Sequence, residues 1–313
     1  MTEEQKKLRE RFLEPETRCG HYVSAETKVC WKVMLDMLEE VDRICRKHDI
    51  RYFLIAGSLL GAIRHKGFIP WDDDVDIALF REDYDKLEKI LPGELPPNMF
   101  MQTILTDPEY RTEHMKIRMA GTAAIQEHAV THRLRYNMGI FIDVFPLEGV
   151  PRTHLGMRIA QKIGARWLDF LKYSRTRAKL HSRRERIKKF LYVTLWRFLG
   201  NRLTYRLLNW SIGKYGLRDD GECIQSPCDM GYSHKYRYKV GLLRETTDVP
   251  FEYLTLKAPK EFDAVLSSTY GDWHKIVKGG AAHSIVAMSP TVDYKMILVE
   301  KFGYMSEELS GLS

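Results

Sequence analysis

Cysteine is scarce, with five in 313 residues, an odd number at irregular spacing. That excludes a disulfide framework and reads as reduced thiols in a cytosolic protein. Cys223, Cys228 and His234 could open a zinc loop, but no second cysteine pair completes it, so free thiols are preferred. Long apolar runs are lacking too. The best window, FLYVTLW, falls far short of the roughly 20 residues that a membrane-spanning helix needs. The start, MTEEQKKLRERFLEPETRCG, is charged throughout and does not read as a secretory signal. There is no internal repeat and no low-complexity tract. No RNP, KH or zinc-knuckle pattern occurs, so nucleic acid is not an expected partner. What is present is the ordinary composition of a globular protein, 44% apolar and 29% charged, in a chain long enough to build its own core.

The net charge of +7 is unevenly spread. Between Arg152 and Lys214 there are 17 Lys or Arg against Asp169 and Glu185, a local net of +15, which leaves the rest of the chain at −8. The same segment interleaves Trp167, Phe170, Leu171, Phe190, Leu195, Trp196 and Phe198 with its cations. Basic helices with such a face suit an anionic membrane surface, and the competing reading is a solvated hairpin that attracts a nucleotide or polyanion.

Periodicity divides the chain into a 1–24 extension, a 25–151 core, a 152–216 basic helical region and a 217–313 C-terminal region, the last expected to contribute to a substrate site. Residues 25–47 repeat apolar positions on one helical face, with Ser24 as N-cap. YFLIA (52–56) reads as a buried strand, Leu59–His65 as a brief helix and DVDIALF (74–80) as a second strand. Arg81–Leu91 is helical in period, with strand candidates at 99–103, 115–119 and 139–145 and a short helix at 261–269. The expected class is α+β, a mixed sheet with packed helices and an inserted basic helical region.

The chemistry concentrates in GSLLGAIRHKGFIPWDDDVDIALF, from Gly57 to Phe80. Four aspartates in five positions abut an apolar strand, and carboxylates there must be paired or must hold a metal. Strand alternation would turn Asp72, Asp74 and Asp76 to one face and Asp73 away. Carboxylates separated by one residue can bind Mg²⁺ or Mn²⁺, hard cations that favour oxygen ligands and phosphate, and paired ions assist in-line phosphoryl displacement. Gly57 and Ser58 would let the backbone approach a donor phosphate, and Arg64, His65 and Lys66 could hold the rest of a diphosphate. A solvated acidic turn is disfavoured by the fused apolar strand. A calcium loop fails because Ile77 stands where glycine is required. A structural metal site without catalysis stays open.

Strand, Gly-Ser and Asp-x-Asp together are the signature of the nucleotidyltransferase fold. The longer string GSLLGAIRHKGFIPWDDDVDIAL closely resembles the LicD family, phosphotransferases that include bacterial phosphocholine transferases and, more distantly, fukutin-type enzymes. The resemblance continues at GIFIDVFPLEGVP (139–151) and more loosely at LKAPKEFDAVLSSTYGDW (256–273). It implies Asp74, Asp76 and Asp143 as catalytic metal ligands, Asp72 as a secondary one, and Gly57, Ser58, Arg64 and Lys66 at the donor phosphates.

The resemblance further implies a CDP-activated donor, most often CDP-choline, whose phosphocholine passes to a sugar hydroxyl of a glycan or lipid-linked glycan precursor such as teichoic acid, lipopolysaccharide or capsule, releasing CMP. CDP-ribitol, CDP-glycerol or a nucleotidyl transfer are alternatives, as is a non-catalytic membrane-associated glycan-binding protein. A choline group would want an aromatic cage, for which Tyr232, Tyr253 and Trp273 are candidates within a segment that also holds Tyr236, Tyr238 and Tyr270. Asp143, His65, His114 and His128 are candidates for the base that accepts the hydroxyl proton. The expected location is cytoplasmic, peripheral at the inner face of the membrane.

Overall fold

The computed structural model describes residues 2–177, 180–213, 215–225, 236–278, 284–310 and 312. The chain opens with helix α1 (Glu3–Arg11) and a small hairpin, β1 (Glu16–Arg18) with β2 (His21–Val23). Helix α2 (Ala25–Lys47) follows, capped as expected by Ser24, whose side chain accepts from the Thr27 N–H. Its buried stripe, which includes Trp31, Met34, Leu38, Val41 and Cys45, packs on the central sheet. Then come β3 (Phe53–Leu54), α3 (Ala56–His65), β4 (Asp76–Phe80), α4 (Arg81–Glu94), β5 (Met99–Gln102), β6 (Met115–Met119), β7 (Ala123–Gln126), α5 (Glu127–Thr131) and β8 (Phe141–Gly149).

Two long helices, α6 (His154–Arg175) and α7 (Arg183–Gly213), form the basic region, and Gly200, at φ +68°, breaks α7 into two halves. The C-terminal region holds β9 (Glu222–Ile224), β10 (Arg237–Lys239), the hairpin β11 (Thr246–Phe251) and β12 (Leu254–Pro259), α8 (Phe262–Tyr270), β13 (Ile285–Ser289), α9 (Tyr294–Phe302) and α10 (Ser306–Leu309).

The main sheet has seven strands and is mixed. Strand β8 is its axis, parallel to β4, antiparallel to β6, and extended at its C-terminal end by β9. Beyond these lie β3 on β4, β5 on β6 and β10 on β9. The fold class is therefore α+β, with this mixed sheet at the centre of one large core that runs from α2 through β4 and β8 to the β11–β12 hairpin. The α6–α7 pair has its own small core, Phe170, Leu171, Tyr205, Leu208 and Ile212, seated against Ile104. Trp167 Nε1 donates to Ser211 Oγ at 2.7 Å across the pair, and Tyr205 hydrogen-bonds Glu88 on α4.

Two local expectations change. Helix α3 starts at Ala56 rather than Leu59, so Gly57 and Ser58 lie inside its first turn instead of in a turn before it. Ala56 makes the sharp entry by adopting φ +51°, a left-handed conformation that costs an alanine on the order of 1–2 kcal/mol. Strand β4 starts at Asp76, so strand alternation does not govern Asp72, Asp73 and Asp74, which occupy the loop after Pro70.

Candidate active site

Register across three strands builds the site. Asp76 on β4 pairs with Asp143 on β8, and Asp143 pairs with Lys116 on β6, so all three stand in one row across the sheet. Residues paired directly across neighbouring strands share a face. The loop before β4 brings Asp74 into the row. Asp74, Asp76 and Asp143 offer carboxylate oxygens within 4.8 Å of one another, and Asp72, Asp73 and Asp74 form a second group at the same spacing. Asp74 and Asp143 are 7% and 1% exposed. Asp73 thus stands beside its neighbours rather than pointing away, because the loop is not a strand.

The electrostatics divide the row. Burial pushes the Asp76 carboxyl well above the usual range, and the negative charges of Asp74, Asp143 and Asp72 push it further, with Lys116 opposing. Asp143 goes the other way. Burial would raise it, but Lys116, at 2.6 and 2.7 Å from its two oxygens, and His114 Nε2, at 2.8 Å, hold it well below that range. Carboxylates crowded this closely repel unless a cation joins them. The donor set, all hard oxygen, fits Mg²⁺ or Mn²⁺ held by Asp74 and Asp76 with Asp143.

The connection from α3 to β4 is held from outside the row. A Cβ at Gly61 would overlap the Gly67 carbonyl, and one at Gly67 would overlap the Glu252 carboxylate, so both glycines permit close approach. Glu252 also accepts from the Phe68 N–H at 3.0 Å and from Arg18 at 2.8 Å. Trp31 stacks on Phe68, centroids 4.5 Å apart, and donates from Nε1 to the Asp72 carbonyl at 3.2 Å. Trp31, Glu252 and Lys116 all position this site. None stands out in the sequence, because each acts over a long chain separation.

Of the expected phosphate-binding residues, Gly57 and Ser58 lie beside the carboxylates. Ser58 Oγ accepts from the Asp76 N–H at 2.8 Å, leaving its O–H to donate, and a Cβ at Gly57 would lie 3.0 Å from Asp72 Oδ2. Arg64 and Lys66 sit at the other end of α3, roughly 10 Å along the helix axis. There Arg64 donates to His65 Nε2 at 2.9 Å and to the Trp273 carbonyl at 3.1 Å, and Lys66 reaches the Ile63 carbonyl at 3.3 Å. The helix separates them from Gly57.

Among the aromatic candidates, Tyr253 packs edge-on against Phe12 with Arg9 over its ring, away from the carboxylates. Trp273 is buried, donates to Asp263 at 3.0 Å and stacks on His274. Tyr232 lies outside the described residues, as do Cys228 and His234, while Cys223 is buried and its thiol is pushed up by burial. Within the C-terminal segment, Tyr236 and Tyr270 feel the acidic row. Burial raises both hydroxyls, and the charges of Asp72, Asp74 and Asp76 raise them further.

Residues 49–156 match a family model described as LicD/FKTN/FKRP, nucleotidyltransferase domain. Over 248 residues, 78% of this chain and 89% of the relative, the chain is 27% identical to the lipopolysaccharide cholinephosphotransferase LicD of Haemophilus influenzae. A 65-residue stretch is 37% identical to the human ribitol 5-phosphate transferase FKRP, covering 21% of this chain and 13% of that protein. A 59-residue stretch is 41% identical to an uncharacterized protein of Rickettsia prowazekii, covering 19% of this chain and 22% of the relative.

Proposed function

The chain belongs, through residues 49–156, to the LicD/FKTN/FKRP nucleotidyltransferase domain family, and from that premise we propose a metal-dependent phosphotransferase that moves phosphocholine from CDP-choline to a sugar hydroxyl of a cell-surface glycan precursor. The observation that carries this reading is the close approach of Asp74, Asp76 and Asp143 beside the first turn of α3. A divalent cation held there would neutralise charge on the transferred phosphate. The sugar oxygen forms a bond to phosphorus, the bond from phosphorus to the CMP oxygen breaks, and CMP leaves with that electron pair.

The hydroxyl proton needs an acceptor. Asp143 suits this poorly, since Lys116 and His114 already engage it and lower its proton affinity. Opposite an ionised Asp143, His114 Nε2 must carry its ring proton, which leaves Nδ1 as the acceptor nitrogen. That atom is buried with no hydrogen-bond partner among the described residues. His114 is the base in this reading, oriented by Asp143.

The partner surface is the outer face of α7. Ile187, Phe190, Leu191, Leu195 and Phe198 are exposed on one helical stripe, with Arg184, Arg186 and Arg197 beside it. Leu203, Leu207 and Trp210 continue it beyond Gly200, and Phe198 and Trp210 are 86% and 71% exposed. Apolar residues flanked by cations suit the surface of an anionic membrane, where a lipid-linked acceptor would be met. No described helix is long and apolar enough to cross one.

The test is CMP release with Mg²⁺ or Mn²⁺ from CDP-choline, CDP-ribitol and CDP-glycerol in the presence of glycan acceptors. CDP-choline is expected to react fastest. Preference for CDP-ribitol would move the donor towards the FKRP-like reading, and pyrophosphate release from a nucleoside triphosphate would replace transfer by nucleotidylation. No turnover with any donor overturns the proposal.

A further inference from the structure

Two guanidiniums outside the carboxylate row, one buried and one partly buried, carry buried donor atoms that nothing accepts among the described residues. Arg175, in the last turn of α6, is 4% exposed. Its Nε donates to the Pro108 carbonyl at 2.7 Å, its Nη1 to Ser174 Oγ at 3.2 Å, and its plane lies over the Trp196 ring at 5.5 Å. Its Nη2 is buried and makes no hydrogen bond among the described residues. Arg111, in the loop before β6, has both Nε and Nη2 buried and equally without a partner among those residues.

These donors have a geometry. Nε–H and Nη2–H lie on one edge of a guanidinium and form the fork that takes two oxygens of a planar or tetrahedral anion. Buried polar atoms in folded proteins are almost always satisfied, so three orphaned donors on two neighbouring arginines call for an acceptor.

The charges agree with the geometry. Burial lowers both guanidiniums to about 10, and the charge of Arg111 adds to the fall at Arg175. Glu109 is the carboxylate that opposes both, and it is already engaged. It accepts from Arg177 Nε at 3.0 Å and from the Arg135 N–H at 2.8 Å, with the Arg135 side chain at 3.6 Å. Four arginines therefore share one acid. A carboxylate ligand would satisfy one fork, but a phosphate has oxygens for the fork of Arg111 and the third donor from Arg175 together, and up to two charges to set against theirs.

We propose that Arg111 and Arg175 form a phosphate-binding site distinct from the carboxylate row, for the phosphate of a phosphorylated substrate or for free inorganic phosphate. Arg111 and His114 are three positions apart in the chain, which bounds the distance between their Cα atoms at roughly 10 Å. The charges acting on the two guanidiniums come from Tyr136, Glu109 and Arg111 and not from Asp74, Asp76 or Asp143, which sets the site apart from the row. The inference stands whether or not the transfer reaction above is correct.

The experiment uses the full chain in EDTA, so that no metal at the carboxylates can hold phosphate. Inorganic phosphate is titrated by calorimetry and by thermal unfolding. Saturable binding with a raised melting temperature is expected for the native protein and for Asp76→Asn, and at least a tenfold weaker affinity for Arg111→Gln and Arg175→Met. Should Arg175→Met not fold, Arg111→Gln alone decides, since Arg111 is only partly buried. Competition by CMP or glycerol phosphate assigns the site to a substrate's phosphate, while binding of inorganic phosphate alone assigns it to the free anion. No saturable binding to the native chain, or undiminished binding to Arg111→Gln, overturns the proposal.

Discussion

Lys116 lies inside the sheet with its ammonium 2.6–2.7 Å from both oxygens of Asp143, whereas Arg183, Arg184, Arg186 and Arg197 project from α7 into solvent beside exposed Ile187, Phe190 and Phe198. The same charge thus serves two ends. In the sheet, a low dielectric makes each charge depend on its partner, so the row Asp76–Asp143–Lys116 is specified residue by residue. On α7, water screens each cation, and only the sum over the helix and its apolar stripe matters. The difference separates chemistry that fails with one substitution from a surface that weakens by degrees.

The largest expected effect lies in the carboxylate row. Asp76→Asn should lower CMP release about a thousandfold, ~4 kcal/mol of barrier, with circular dichroism unchanged. In the native protein added Mg²⁺ should raise the melting temperature, and in the variant it should not. Full activity in that variant would make the row structural and erase the contrast.

Next comes the pair that supports the row. Lys116→Met leaves Asp143 buried without its ammonium and should cost about 3–5 kcal/mol of unfolding free energy in urea. A loss below about 1 kcal/mol would mean that solvent reaches Asp143 after all.

A smaller effect concerns His65 at the end of α3. Burial lowers its imidazole to about 4, helped by the nearby charges of Arg64 and Arg18. A base lowered by folding contributes stability that is complete above its unfolded pKa near 6.5 and is lost as pH falls to about 4. Because His65 is partly exposed, about 1 kcal/mol is expected to disappear across that window. His65→Gln should flatten the stability profile there, and an unchanged profile would remove His65 from it.

The smallest change in stability is expected on α7. Phe198→Ser with Trp210→Ser should alter unfolding by less than about 0.5 kcal/mol per site and leave CMP release with a water-soluble acceptor intact. Flotation with vesicles containing anionic lipid should fall severalfold and respond to salt. Equal flotation of both forms would assign the stripe another partner.

Much of this was legible from short-range pattern. The α2 helix is marked by an apolar repeat and a serine cap, β6 by a strand candidate with the same limits, and the aspartate run by its adjacency to a buried strand. Local signals miss what distant chain segments do. The sequence pattern starts α3 at Leu59 rather than Ala56, because Ala56 takes a left-handed conformation that alanine seldom adopts. Alternation turns Asp73 away from its neighbours, but Asp73 lies in a loop, where alternation does not apply. Lys116 looked like any strand lysine, and Trp31 like any core aromatic, until register and packing brought one to Asp143 and the other to the Asp72 carbonyl.

By itself, the sequence determined the kind of chemistry available, carboxylates beside a strand and cations along a helix, since composition and period are properties of neighbouring residues. Tertiary structure decided which of these groups meet. Asp143 joins Asp74 and Asp76 because β4 and β8 pair in parallel at one register, and a shift of a single residue would turn its side chain to the other face of the sheet. Arg64 and Lys66 lie away from Gly57 and Ser58 because a helix of ten residues holds its two ends apart.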